Sequence, residues 1–256
     1  MRALVATAAA AATAGACVLL RGLLRRQVPR LKLTYFDIPG FGDRIRLTLA
    51  IGGIDFEDER LPSTIEGYEE VARRREAGLL PFGQIPVVVI DECKTYAQSN
   101  ALLRYFGRQA RPTLYPDGIE QLQCDMVLEA FADMDARLAP QHYGAAMSRS
   151  PTTGKPAVLL SEAQKAELTR ELVHDVLPTM LGRIERVLLS TDGPYFCGSL
   201  LTICDVVSYS IVTGIRDGSY VRDVGESVFD GCPALLAHAS AVANLPAVKT
   251  WVRARR

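Results

Sequence analysis

Apolar positions fall into two regimes along this chain. Up to about residue 106 they form short runs at strand or single-helix spacing, and beyond residue 121 they recur only at helical spacing. In the first regime, Leu31-Lys32-Leu33-Thr34-Tyr35-Phe36 predicts a strand and residues 37–42 a turn. Ile45 and Leu49, ended by Gly52-Gly53, predict a helix. Residues 54–60 alternate as a second strand, and the polar, Arg- and Glu-rich residues 63–77 predict a helix with loops. Val87-Val88-Val89-Ile90 and Lys94-Thr95-Tyr96 flank a three-residue turn, Asp91-Glu92-Cys93, and read as a hairpin. A short apolar helix over 101–107 follows, giving the order β-α-β-α-β-β-α.

Residues 111–118 carry Pro112, Pro116 and Gly118 and read as a linker. After it, residues 121–138 place Leu122, Val127, Phe131, Met134 and Leu138 on one helical face. Residues 161–189 do the same with Leu168, Leu172, Val176, Met180, Ile184 and Leu188, and Pro178 inside that run predicts a kink. Thr202-Ile203-Cys204-Asp205 has the spacing of a capping box ahead of an apolar helix, a folding feature and not a catalytic one. Residues 233–244 and 246–253 predict two closing helices, each with proline in its first turn.

One stretch suggests a binding site. Pro86 cannot donate to a sheet ladder, so Leu80-Pro81-Phe82-Gly83-Gln84-Ile85-Pro86 enters the strand at 87 with its backbone turned away from neighbours. With the Ile85-Pro86 bond cis, the Ile85 backbone can pair with an extended peptide-like ligand. Gln98 and Ser99 stand at the start of the next helix, where unpaired N–H groups attract an anion. A small acidic peptide suits both features.

Composition narrows the field. At 256 residues and 48% hydrophobic content the chain can bury a sizeable core in one or two domains. Its net charge is zero, but residues 1–30 hold five arginines and no acid, so the remainder is net acidic, which argues against a nucleic-acid partner. The six cysteines lack C-x-x-C or zinc-finger spacing, and the three histidines lie far apart, so no metal site or disulfide framework is expected and most cysteines read as small buried hydrophobes in a reducing compartment. Residues 3–20 are Ala-rich and uncharged and lead into Arg21, Arg25 and Arg26. This suits a mitochondrial or other organellar presequence, a membrane anchor facing the cytoplasm, or a cleaved secretory signal, and in each case lies outside the fold.

The first domain resembles the thioredoxin-like arrangement without its redox C-x-x-C. Together with the Gln98-Ser99 pair, the runs 32–36, 80–86, 198–205 and 245–251 make residues 31–256 resemble a glutathione transferase, most like the sigma class that includes prostaglandin D synthases and the S-crystallins. The resemblance implies a thioredoxin-like glutathione-binding domain over 31–110, a linker over 111–118 and an all-helical domain over 119–256 that supplies a hydrophobic substrate pocket and dimer contacts. It implies a homodimer, glutathione as co-substrate with no metal, and attack on small hydrophobic electrophiles or isomerisation of a bound peroxide. The alternative is a binding or crystallin-like structural protein with little turnover.

Residue by residue, the resemblance assigns Tyr35 as the hydroxyl that stabilises the glutathione thiolate. The turn at 37–43 holds no cysteine or serine to replace it. Ile85 and Pro86 would dock the cysteinyl backbone, Gln98 and Ser99 the γ-glutamyl end, and Gln84 the glycyl end. Tyr68 with Arg73 or Arg75 would meet the glycyl carboxylate. Asp133 of one subunit would reach the γ-glutamyl amine of glutathione held by the other. Phe41 departs from the pattern, since the sigma class usually has arginine there and a cation near the sulfur is lost.

Overall fold

The computed structural model describes residues 29–146, 160–220 and 224–254. Apart from Pro29 and Arg30, the N-terminal segment to which a presequence or anchor was assigned lies outside the described residues. Among those residues no helix is long and apolar enough to cross a membrane.

Four strands form the sheet: β1 (Leu31–Phe36), β2 (Glu57–Leu61), β3 (Val87–Ile90) and β4 (Lys94–Ala97), in the order β2-β1-β3-β4. β1 runs parallel to β2 and antiparallel to β3, with Tyr35 opposite Arg60 and Leu33 opposite Val88. Helix α1 (Phe41–Ile51) crosses between β1 and β2, α2 (Ile65–Glu76) precedes β3, and α3 (Ser99–Gln109) follows β4. The second strand begins at Glu57, not at residue 54. The α1 end consumes the Ile54 N–H in a 2.9 Å bond to the Leu49 carbonyl, so Ile54 cannot join a ladder, and Ile54 and Phe56 pack on the core instead.

Past the linker come α4 (Ile119–Ala146), α5 (Glu162–Glu171), α6 (Leu177–Leu189), α7 (Ile203–Arg216), α8 (Pro233–Ala243) and α9 (Pro246–Ala254). The kink expected at Pro178 is a π-helical turn over Leu172–Val176, closed by the Leu177 N–H on the Leu172 carbonyl. Pro178 has no N–H to give His174, and the wider register accommodates that gap. The linker is not free: Leu114 is buried, donates to the Gly107 carbonyl and accepts from the Ile203 N–H at 2.8 Å. One apolar core runs from Leu33, Ile45, Leu49 and Phe106 through Leu114 to Phe131, Val206 and Leu235, so sheet and helices share an interior. A second, smaller core beneath α2 holds Tyr35, Phe36, Leu61, Val71, Leu80 and Val87.

Three of the five described cysteines are buried, while Cys197 is half-buried and Cys93 exposed, so the reading of cysteines as core hydrophobes holds only for Cys124, Cys204 and Cys232. Two charged side chains anchor the two cores. Asp205 is buried at the start of α7 and accepts from the Thr202 N–H (2.7 Å), the Thr202 hydroxyl (2.8 Å) and the Phe196 N–H (3.0 Å), and it pairs with His238 at 3.0 Å. Glu59 on β2 accepts from Arg74 of α2 at 2.7 Å and from the Thr34 hydroxyl at 2.6 Å, and pairs with Lys32 at 3.1 Å.

Removing the Asp205 carboxylate leaves several buried donors without a partner, so Asp205→Ala is expected to cost about 3 kcal/mol or more of stability, read from urea unfolding. Hydrogen bonding by Arg74 above all holds Glu59 down to about 2, from an ordinary value of 4.5. A carboxylate with a depressed folded-state pKa contributes stability above its unfolded value and loses it as pH falls. Wild-type stability should therefore drop between about pH 4.5 and pH 2, and Glu59→Gln should flatten that limb of a pH series of unfolding midpoints.

Candidate active site

Tyr35 lies near the C-terminal end of β1, 7% exposed, with its hydroxyl against the turn that leads into α1. Two glycines make room for it. A Cβ at Gly40 would lie 3.2 Å from the Tyr35 hydroxyl, and one at Gly42 would lie 2.3 Å from its ring carbons. Gly40 also has a φ of +124°, which other residues rarely adopt. The Tyr35 ring is fixed from behind by Arg46, whose guanidinium lies 5.8 Å from its centroid while donating to Asp58 (2.8 Å) and to the Phe36 carbonyl (3.2 Å).

The other positions assigned to the ligand gather unevenly. Tyr68 of α2 packs on Phe36 with ring centroids 4.7 Å apart, and Tyr68, Ile85 and Ala97 border the same small core as Tyr35. The Ile85-Pro86 peptide is cis, and the β3 ladder starts at Val87, one residue after Pro86, so the Ile85 backbone stands outside it. Arg75 donates from Nε to the Gly83 carbonyl at 2.7 Å, which seats α2 against the turn carrying Gln84 and Ile85. Arg73 instead faces solvent, 71% exposed and paired with Glu70. Of the two candidate cations, Arg75 is therefore the one held beside the turn.

Gln98 is the N-cap of α3, with φ +73° and ψ +102°, and no side chain caps that helix. A non-glycine residue in this region stores about 1–3 kcal/mol of strain, sustained only where surrounding structure enforces it. Here the strain presents an exposed Gln98 and a half-buried Ser99 beside the uncapped N–H groups of the helix, which can hold a carboxylate. Asp133 is exposed on α4.

The sequence reading missed a buried polar cluster facing Tyr35. Arg44 of α1 makes a two-pronged pair with Asp135 of α4, at 2.6 and 2.9 Å, and its guanidinium lies 4.8 Å over the Phe41 ring and 5.4 Å over that of Tyr220. The Tyr220 hydroxyl donates to Asp135 and accepts from Arg44 at 3.0 Å. Burial would make Arg44 easier to deprotonate, but Asp135 more than offsets this and the net direction is up, so the cation persists. Burial likewise pushes the Tyr220 phenol well up, keeping it a donor. A Cβ at Gly40 would lie 3.8 Å from the Tyr220 ring and 3.2 Å from the Tyr35 hydroxyl, so both tyrosines meet at this turn. Two arginines flanking Ile45 in a helix with an apolar face were the available signal, since buried cations require carboxylates. Tyr220, in an Asp-Gly-Ser turn without periodicity, gave none.

Two cavities lie elsewhere. One of about 230 Å³ is lined by Leu188, Thr191, Pro194 and His238, and one of about 270 Å³ beneath α2 is lined by Lys32, Thr34, Glu59 and Arg74. Neither includes Tyr35. Among the described residues no cluster of His, Cys, Asp or Glu could hold a metal ion. The arrangement can bind a short peptide with an anionic end through the Ile85 backbone and the α3 start, and it can aim a phenol at an atom of that peptide.

Comparison with known proteins places the chain in a family. Residues 31–108 match the family model of the glutathione S-transferase N-terminal domain, and residues 155–255 match that of the C-terminal domain. Glutathione S-transferase 1 of Ascaris suum is 29% identical over 231 residues, covering 89% of this chain and 98% of the relative. Mouse glutathione S-transferase A3 is 30% identical over 222 residues, covering 86% and 87%. The solved structure of prostaglandin synthase D of Nilaparvata lugens superposes with a TM-score of 0.71 at 25% identity, covering 89% of this chain and 99% of that one. A strained, uncapped helix start and a proline-turned backbone in this order, with these matches over most of the chain, make it a member of the glutathione S-transferase family, a glutathione transferase whose co-substrate is glutathione.

Proposed function

We propose that Tyr35 donates its hydroxyl to the sulfur of bound glutathione and that the resulting thiolate attacks a small hydrophobic electrophile. A thiol with a pKa near 8.5 is only a few per cent thiolate at neutral pH, and the thiolate is the nucleophile. Lowering that pKa by about two units takes about 2.7 kcal/mol of preferential stabilisation of the anion. The observation that carries the reading is the crowding of Gly40 and Gly42 on Tyr35, which leaves the phenol one nearly buried orientation, toward the turn where a ligand along Ile85 and Gln98 would end. Ile85 and Pro86 would dock the cysteinyl backbone, Gln98 and Ser99 the γ-glutamyl carboxylate, and Gln84, Tyr68 and Arg75 the glycyl end. Arg73 is better suited to a solvated role.

Phe41 removes one cation from the turn, but the stacking of the Arg44 guanidinium on its ring supports a replacement three residues along the same helix. Ile38, Phe41 and Tyr220 offer an apolar wall beside Tyr35 for the electrophile. The relationship to the Nilaparvata lugens prostaglandin synthase supports sigma-class membership and makes a peroxide that isomerises through a glutathione adduct a second substrate to test. Retention of Tyr35, Gln98 and Ser99 argues for turnover over a crystallin-like structural role. Exposed Phe82, Tyr105 and Met126, on the loop before β3, on α3 and on α4, suit a homodimer in which Asp133 of each subunit reaches the other's glutathione. The basic, acid-free residues 1–30 suit an organellar presequence, which N-terminal sequencing of the mature protein identifies.

With an aryl halide at about pH 6.5, Tyr35→Phe should lower turnover at least tenfold and raise the titration midpoint of bound glutathione, followed by thiolate absorbance, by about two units. Unchanged values eliminate Tyr35. Tyr220→Phe should leave that midpoint in place, because the Tyr220 hydroxyl is engaged by Asp135 and Arg44. Asp133→Ala should raise the KM for glutathione severalfold with little change in kcat, provided that gel filtration shows a dimer.

A further inference from the structure

Three thiols meet away from the glutathione site, where the start of α4, the turn at 195–200 and the first turn of α7 converge. Cys197 lies in a tight turn closed by reciprocal Tyr195 and Gly198 backbone bonds, both 3.1 Å, and by the Leu200 N–H on its own carbonyl at 3.2 Å. Its thiol is half-buried and donates to the Glu120 carbonyl at 3.4 Å. Cys204, fully buried, lies 3.1 Å from the Thr202 hydroxyl and is in hydrogen-bonding contact with the thiols of both Cys197 and Cys124. The Asp205 carboxylate fixes both sides of this arrangement, because it binds the Phe196 N–H next to Cys197 and the Thr202 N–H and hydroxyl next to Cys204.

Cysteines that merely fill space need no partner thiol and no route to solvent. This pair has both, with one sulfur half-exposed and the other sealed behind it. We propose that Cys197 and Cys204 form an oxidant-responsive dithiol, in which a hydroperoxide oxidises Cys197 and Cys204 resolves it as a reversible disulfide.

The electronic asymmetry runs in the direction such a pair needs. The hydrogen bond from Cys204, above all, lowers the Cys197 thiol, while burial raises Cys204 well above its ordinary range. The exposed sulfur is thus the one biased toward the nucleophilic thiolate, and the buried one remains the donor that supports it. In the first step the Cys197 thiolate attacks the terminal oxygen of the hydroperoxide. The O–O bond breaks, the alcohol or water leaves with a proton from solvent, and Cys197 becomes a sulfenic acid. In the second step the Cys204 sulfur displaces that hydroxyl, forming the S–S bond and releasing water, with the Cys204 proton going to the departing oxygen. Two equivalents of glutathione, the protein's own co-substrate, return both thiols and yield glutathione disulfide. Forming the disulfide brings the two sulfurs to about 2.05 Å.

Both residues fall in the single tryptic peptide from Val187 to Arg216, whereas Cys93 and Cys124 fall in others. The full chain is treated with a few equivalents of hydrogen peroxide, the remaining thiols are alkylated, and peptides are weighed. The expected result is a 187–216 peptide lighter by about 2 Da with neither cysteine alkylated, restored by dithiothreitol and formed severalfold faster than oxidation of exposed Cys93. Cys197→Ser should abolish that peptide and Cys93→Ser should leave it. Because Cys204→Ser alters a buried position, the wild-type measurement decides alone. A peptide in which Cys197 is carried to sulfinic acid, a Cys204–Cys124 linkage, or both thiols still alkylated after Cys93 is consumed would overturn the proposal.

Discussion

Two arginines sealed inside α1 set most of the geometry around Tyr35. Arg46 joins the end of β1 to β2 by holding the Phe36 carbonyl and Asp58, and it presents its face to the Tyr35 ring. Arg44, just before Ile45, ties the same helix to α4 through Asp135 and to the 217–220 turn through Tyr220. A guanidinium out of water is tolerated only with matched acceptors, so the position of each carboxylate is as constrained as that of the cation. The first helix therefore cannot shift against either the sheet or the helical layer without exposing an unpaired charge. The hydroxyl of Tyr35 inherits that rigidity.

Rigidity at the phenol contrasts with strain at the start of α3. Gln98 occupies a backbone conformation that costs energy, and the helix behind it starts without a side-chain cap. Both features reduce stability locally and both expose groups suited to an anionic peptide, the pattern expected where binding and not folding selected the geometry. The Asp205 hub has the opposite character, with four interactions converging on one buried carboxylate. That hub also brings Cys197 and Cys204 together, so a folding device creates the thiol pair as a by-product.

Local rules made much of this legible in advance. Short strand-forming runs marked β1, β3 and β4, the proline before residue 87 marked the backbone turn that Ile85 makes, and the Thr202–Asp205 spacing marked the start of α7. Each depends on neighbours within a few residues, and chemistry at that range is written in the chain. The family motifs added Tyr35, near the end of β1, and Gln98 and Ser99, at the start of α3. The early start assigned to β2 failed because a helix end claimed the Ile54 N–H, a competition that alternation cannot register.

The sequence by itself determined the two-regime architecture and the turn chemistry, and it singled out Tyr35 as the candidate phenol. Only the tertiary structure decided what surrounds that phenol. Arg44 and Asp135 are 91 positions apart and Arg44 and Tyr220 are 176 apart, so no window of sequence could pair them. It also decided that Arg75, and not Arg73, reaches the Gly83 carbonyl, because that depends on the rotation of α2 over the sheet. It decided, finally, that three scattered cysteines are neighbours. Their meeting depends on how α4 packs across the start of α7, and buried contacts between distant segments follow from shape and volume, which spacing along the chain does not encode.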